Sequence, residues 1–298
     1  MDSSNVGTIV AGVDGSASAL AAVRWAAAEA VRWDRRLRLV HVVEPVPVDA
    51  GFASRDREST ERRRRGELWL HTARTVASTA APSVETVLHE GDRREILIAE
   101  AAWAAELVLG SRGRGGLGRL AERSSGLAVA VHSGCPVVVV RGPVHESGHV
   151  VAGVDDGPES TAVLRFAFHQ ARRYGTGVTV LHTWRLAGPG GSAAAHRYAE
   201  RALREKVSAV AAEFDGFDAE CLVVRGKPDE TLLEYGRHAR LIVVGTRGHG
   251  GLAGLFLGST SQSVAAHGTA PVAVIRSAET VTWWARLVNA PTTGVSGH

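Results

Sequence analysis

Gly245-Thr246-Arg247-Gly248, then nine residues, then Gly258-Ser259-Thr260 is the segment best equipped for chemistry. Backbone N–H groups in such a loop can converge on an anion, and a helix start at its end adds partial positive charge. Glycine serves where a side chain would block a phosphate or where φ must be positive. Gly245, Gly248, Gly250, Gly251, Gly254 and Gly258 are dense even for a loop. A related loop occurs earlier as Gly110-Ser111-Arg112-Gly113, with Gly116 following and nine residues separating Gly113 from Arg123-Ser124. Arg123 therefore stands where the later loop has Gly258. One reading is a weakened first site, with a side chain where close backbone approach is required. The other is an arginine whose fork itself reaches a phosphate. The first reading is preferred.

Both loops follow apolar runs, Leu107–Leu109 and Leu241–Val244, and both belong to a repeat. Val10–Asp14 matches Val151–Asp155 and Leu39–His41 matches Val180–His182, each shifted by 141 residues. Gly91, Gly110 and Pro136 match Gly226, Gly245 and Pro271, each shifted by 135. The first copy thus holds six extra residues between His41 and Gly91, expected in a loop around Pro45–Gly51. In that copy strands are expected at Thr8–Asp14, Leu37–Val43, Val84–His89, Leu107–Leu109 and Pro136–Val140. Helices are expected at Ala17–Trp33, Glu58–Ala80, Arg94–Ala104 and Ser124–Val131. Continuous Val/Ile/Leu runs indicate strands buried on both faces, hence parallel sheets covered by helices. Alternating strands and helices imply right-handed crossovers and two tandem α/β, doubly wound (Rossmann-like) domains. The expected boundaries are 1–142 and 149–278, with a polar linker at Gly142–His149 and a tail at 279–298.

Composition limits the partners. With 45% apolar and 22% charged residues the 298-residue chain reads as globular, and a formal net charge of +3 is too small to imply nucleic acid. Cys135 and Cys221 fall at non-equivalent places in the copies, which fits a reducing cytosol rather than a disulfide framework. No signal peptide is visible, and no uncharged apolar stretch reaches the ~18 residues of a membrane span. A cytoplasmic location is expected.

The repeated loop, the strand ends Val13-Asp14 and Val154-Asp155, and the final strands Cys135-Pro136-Val137 and Ala270-Pro271-Val272 resemble the universal stress protein family in a tandem form. The resemblance covers Thr8–Arg141 and Val150–Ser277. It implies a five-stranded parallel sheet of order 3-2-1-4-5 in each copy, ATP as ligand, and Mg2+ only as companion of the triphosphate. Such an order places a crevice at the carboxyl ends of strands 1 and 4, where connections leave in opposite directions. The implied binding residues of the second copy are Gly153, Asp155, Thr183, Gly245, Thr246, Arg247, Gly248, His249, Gly250, Gly251, Gly258, Ser259 and Thr260. Those of the first are Gly12, Asp14, Gly110, Arg112, Gly113, Gly116 and Ser124. By this resemblance Asp155 contacts the nucleoside, backbone near Thr183 meets the adenine, and Ser259 meets a terminal phosphate. The family pairs through its last strands, so the two copies are expected to pair; whether whole chains form a homodimer stays open.

Blander readings compete. Asp155 sits in a turn context, and as a turn former it would only shape the loop. Gly113–Gly118 and Gly248–Ala253 fit a dinucleotide fingerprint but follow strand 4 rather than strand 1, so NAD is rejected. The paired histidines His41/His182 and His132/His267 read as structural, and His249 as a solvent-facing loop residue. Arg62–Arg65 sit among Glu58, Glu61 and Glu67, which points to a solvated helix face. Trp25, Trp69 and Trp103 are expected to pack against the sheet, while Val281, Trp283, Trp284 and Leu287 of the tail could serve a partner contact. No Walker lysine motif or paired carboxylates accompany the loop. The preferred function is an ATP-binding regulator or sensor of the stress response. A slow ATPase or phosphotransferase is the alternative, and a nucleotide-independent interaction protein the third reading. No catalytic residue and no metal-ligand cluster is assigned.

Overall fold

The computed structural model describes residues 7–46, 52–81, 83–111, 125–184, 193–215, 217, 219–246 and 257–276. The described chain divides into two compact units, the first ending at Val140 and the second beginning at Arg141.

In the first unit β1 (Ile9–Gly12), α1 (Ala17–Arg32), β2 (Leu37–Val43), α2 (Phe52–Ala77), β3 (Val84–Glu90), α3 (Arg93–Ala101), β4 (Glu106–Gly110), α4 (Ser125–His132) and β5 (Val137–Val140) follow in order. Every strand pair is parallel. β1 is flanked by β2, with Ile9 opposite Leu37, and by β4, with Ile9 opposite Glu106. β3 extends the β2 side and β5 the β4 side, which gives the order 3-2-1-4-5. Unbroken apolar runs explain the central strands: all four residues of Val137–Val140 are buried. α1 packs on α2 and α3 on α4, and right-handed crossovers place the two pairs on opposite faces. Side chains start these helices. Ser16 accepts from the Ala19 N–H at 3.1 Å, and Asp92 accepts from the Glu95 N–H at 2.9 Å.

The second unit repeats the plan with β6 (Val150–Val154), α5 (Ser160–Tyr174), β7 (Val178–Trp184), α6 (Ala193–Ala211), β8 (Ala219–Arg225), α7 (Pro228–Tyr235), β9 (Leu241–Gly245), α8 (Ser259–His267) and β10 (Val272–Ile275). β6 lies between β7 and β9, again all parallel, with β8 and β10 at the flanks. α5 ends at Gly175, whose φ of 64° is the left-handed cap that glycine adopts freely.

Two expectations are corrected. Among the described residues the first copy's surplus is helix rather than loop, since α2 has 26 residues and α6 has 19. Trp103 does not pack on the sheet; it follows α3 and is 46% exposed. The arginine run behaves as expected for a solvated face. Arg62 pairs with Glu58 at 2.6 Å and Arg65 with Glu61 at 3.4 Å, both one helical turn apart.

Candidate functional site

The order in the second unit makes β6 and β9 neighbours whose following loops diverge. A cavity of about 730 Å3 opens at their carboxyl ends. It lies at the topological switch point, and its volume is that of a small-molecule site. Of the residues expected at the site, Gly153, Asp155, Thr183, Gly245, Gly258, Ser259 and Thr260 line it. Asp155 and Gly245, 90 residues apart in sequence, thus meet in one wall.

Each side of the cavity has a local cause. On the β6 side, Asp155 Oδ1 accepts from the Gly157 N–H at 2.8 Å. The Ser160 hydroxyl donates to the Asp155 carbonyl at 2.6 Å and accepts from the Asp155 N–H at 3.1 Å. The Lys206 ammonium donates to the same carbonyl at 2.8 Å. Asp155 is therefore a turn former that also faces the cavity. Gly153 is small for a packing reason: a Cβ there would stand 2.8 Å from Leu232 Cδ1, which closes the floor from α7. His182 Nδ1 donates to the Val154 carbonyl at 3.2 Å, and the ring lines the wall next to Thr183.

On the β9 side the chain turns into α8. Gly258 has φ −60° and ψ 146°, backbone angles open to any residue. Its lack of a side chain therefore leaves room rather than relieving strain. The Gly258 N–H closes the loop on the Thr246 carbonyl at 2.8 Å. The first intrahelical bond runs from the Gln262 N–H to the Gly258 carbonyl at 2.9 Å. By helix geometry the amides of Ser259, Thr260 and Ser261 lack an intrahelical acceptor and carry the positive end of the helix dipole. The Ser261 hydroxyl pins this first turn to the Gly245 carbonyl at 2.5 Å.

Thr246 lies behind the wall rather than in it. It is 2% exposed, its N–H donates to the Ile275 carbonyl at 2.8 Å, and its hydroxyl donates to Glu159 Oε1 at 2.9 Å. That last bond ties the loop after β6 to the loop after β9 across the crevice. Arg247, Gly248, His249, Gly250 and Gly251 lie outside the described residues, as do Arg112, Gly113, Gly116, Arg123 and Ser124 of the first unit. Gly12, Asp14 and Gly110 of the first unit are described. Asp14 Oδ1 accepts from the Ser16 N–H at 3.0 Å and its hydroxyl at 2.6 Å. A Cβ on Gly110 would stand 2.6 Å from the Ser18 backbone, so α1 starts directly against the end of β4.

Sequence reasoning missed Asp156, Glu159, Ser160, Trp184 and Ser261, all of which line the cavity. A comparison of the copies could have found four of them. Their counterparts in the first copy are Gly15, Ser18, Ala19 and Gly126 for Asp156, Glu159, Ser160 and Ser261. The described lining carries three carboxylates, Asp155, Asp156 and Glu159, and neither lysine nor arginine. Among the described residues no group of three or more His, Cys, Asp or Glu side chains is placed to hold a metal ion. Each paired histidine bonds a backbone carbonyl through Nδ1, and His182 also lines the cavity. His132 and His267 each donate Nδ1–H to the carbonyl four residues earlier, at 3.0 Å. His41 donates to the Val13 carbonyl at 2.7 Å, and burial pushes its pKa below the usual imidazole range.

A family model described as the universal stress protein family matches residues 5–141 and 146–276, one match per unit. The chain belongs to the universal stress protein family. A universal stress protein of Mycolicibacterium smegmatis is 34% identical over 283 residues, covering 90% of this chain and 96% of the relative. One from Mycobacterium tuberculosis is 31% identical over 296 residues, covering 91% of this chain and 97% of its own. The crystal structure of a universal stress protein from Archaeoglobus fulgidus superposes with a TM-score of 0.66 at 18% identity. It covers 92% of this chain and 99% of its own, a likeness of fold. Among the described residues no helix is long and apolar enough to cross a membrane.

Proposed function

We propose that the second unit binds ATP in this cavity and that the chain acts as a nucleotide-dependent regulator or sensor of the stress response. The observation that carries the reading is the start of α8. Amides at the positive end of a helix face a cavity of about 730 Å3, beside a glycine whose backbone angles do not require glycine. Ser259 and Thr260 supply amides and hydroxyls to a phosphate. Thr183 stands at the opposite end, where a base would lie. Three carboxylates in the wall oppose a bare triphosphate, so the anion enters with Mg2+. The residues present fit such a companion ion: hard carboxylate oxygens stand beside the place of the phosphates, and too few converge to hold the ion alone.

A dedicated ATPase ranks lower. Phosphoryl transfer needs groups that neutralise developing charge, and the described lining has no lysine or arginine. Turnover near the ordinary enzymatic median of ~10 s⁻¹ would reverse that ranking.

Thermal unfolding with ATP and Mg2+ tests the proposal. At a ligand concentration of ~100 Kd the stabilisation is about 2.7 kcal/mol, which raises Tm. Gly258→Glu puts a carboxylate where the phosphates lie without straining the backbone, and it abolishes the rise. A variant stabilised by ATP as strongly as the parent would show that the nucleotide lies elsewhere.

A further inference from the structure

The first unit has the same crevice position at the carboxyl ends of β1 and β4, but an indole covers it. His41 and Gly15 occupy the places that His182 and Asp156 hold in the wall of the second unit's cavity. Trp69 of α2 touches both. Its ring meets His41 edge-on, with centroids 5.2 Å apart and planes at 86°. A Cβ on Gly15 would overlap three atoms of the same ring, and the φ of +76° there already favours glycine. Gly66, three residues before Trp69, lets α2 descend onto β2, since a Cβ at Gly66 would overlap the His41 ring. In the second unit α6, the counterpart of α2, contributes no residue to the described lining, and its Lys206 reaches only the Asp155 carbonyl, at 2.8 Å.

We propose that Trp69 occupies the nucleoside end of the first unit's crevice and so decides that the second unit, and not the first, takes the nucleotide. This rests on the reading of the second unit as a nucleotide site. His41 is held to the Val13 carbonyl and lies, with Gly15, against Trp69, so a base entering beside β2 must first displace the indole. Arg123 aligns with Gly258 in sequence and lies outside the described residues, so its substitution is tested together with that of Trp69.

Equilibrium dialysis of the full-length chain against labelled ATP with Mg2+ counts nucleotides bound per chain. The parent binds one, Arg123→Gly binds one, and Arg123→Gly/Trp69→Ala binds two. Adding Gly258→Glu to the double variant returns the count to one. Trp69→Leu keeps an apolar side chain against β2 and replaces Trp69→Ala if that variant fails to fold. Two nucleotides on Arg123→Gly alone overturn the proposal and leave the second unit's site standing. So does a count of one for both Trp69 variants in the Arg123→Gly background. No nucleotide on the parent or on any variant overturns the proposal together with the reading on which it rests.

Discussion

Single residues decide how the crevice is furnished. Trp184 illustrates a cost that stays in the wall. It ends β7 beside Thr183, its ring lies 5.7 Å from that of His196, and its Nε1 is buried with no hydrogen-bond partner among the described residues. A buried donor left unsatisfied costs roughly 1–3 kcal/mol. Trp184→Phe keeps an aromatic ring and removes the donor, so it is expected to raise Tm of the nucleotide-free chain or leave it unchanged. A clear fall in Tm would show that the Nε1–H is used. Residues of this kind were only partly legible in the sequence. Gly245, Gly258 and Ser259 could be found because glycine density and a fixed spacing mark a loop that must admit an anion. The hydrogen bond that joins Thr246 to Glu159 could not, because it links positions 87 residues apart.

Elements set the next scale, and their packing carries its own pH dependence. His169 on α5 packs against Phe214 with ring centroids 4.7 Å apart. Burial, then Arg173 and Arg172, lowers its pKa from 6.5 to about 4. The folded state therefore holds the neutral ring. Above pH 6.5 both states are neutral and nothing is lost; below it the unfolded chain binds a proton that the folded chain refuses. Stability thus falls as pH drops from 6.5 toward 4, by roughly 2–3 kcal/mol in all. His169→Phe, which suits the aromatic surroundings, is expected to flatten the fall in Tm between pH 7 and pH 5 relative to the parent. Parallel profiles for the two would exclude this cause. Strands were the most legible elements, because runs such as Val137–Val140 and Leu241–Val244 are apolar at every position and so must be covered on both faces. Helix starts were less legible. α2 begins at Phe52 rather than Glu58, since its first turns are polar and show no apolar period to the eye.

At the scale of the whole molecule the chain is one unit written twice and then made unequal. The backbone plan is kept in each copy, down to the histidine that donates to the carbonyl closing the first strand. The chemistry is not kept. The second unit holds Asp156, Glu159, Ser160 and Ser261 where the first has Gly15, Ser18, Ala19 and Gly126. In the first unit Trp69 lies against His41 and Gly15, which match the wall residues His182 and Asp156. The repeat was legible from offsets alone, and so was the difference at Arg123. The role of Trp69 was not, because it depends on how closely Gly66 lets α2 approach β2. The central claim, that amides at the start of α8 grip a triphosphate, meets its most direct test in a crystal structure of the chain grown with ATP and Mg2+. The account predicts phosphate oxygens within hydrogen-bond distance of the Ser259 and Thr260 amides and a base beside Thr183. A cavity left empty under saturating nucleotide, or a nucleotide bound away from α8, would contradict it.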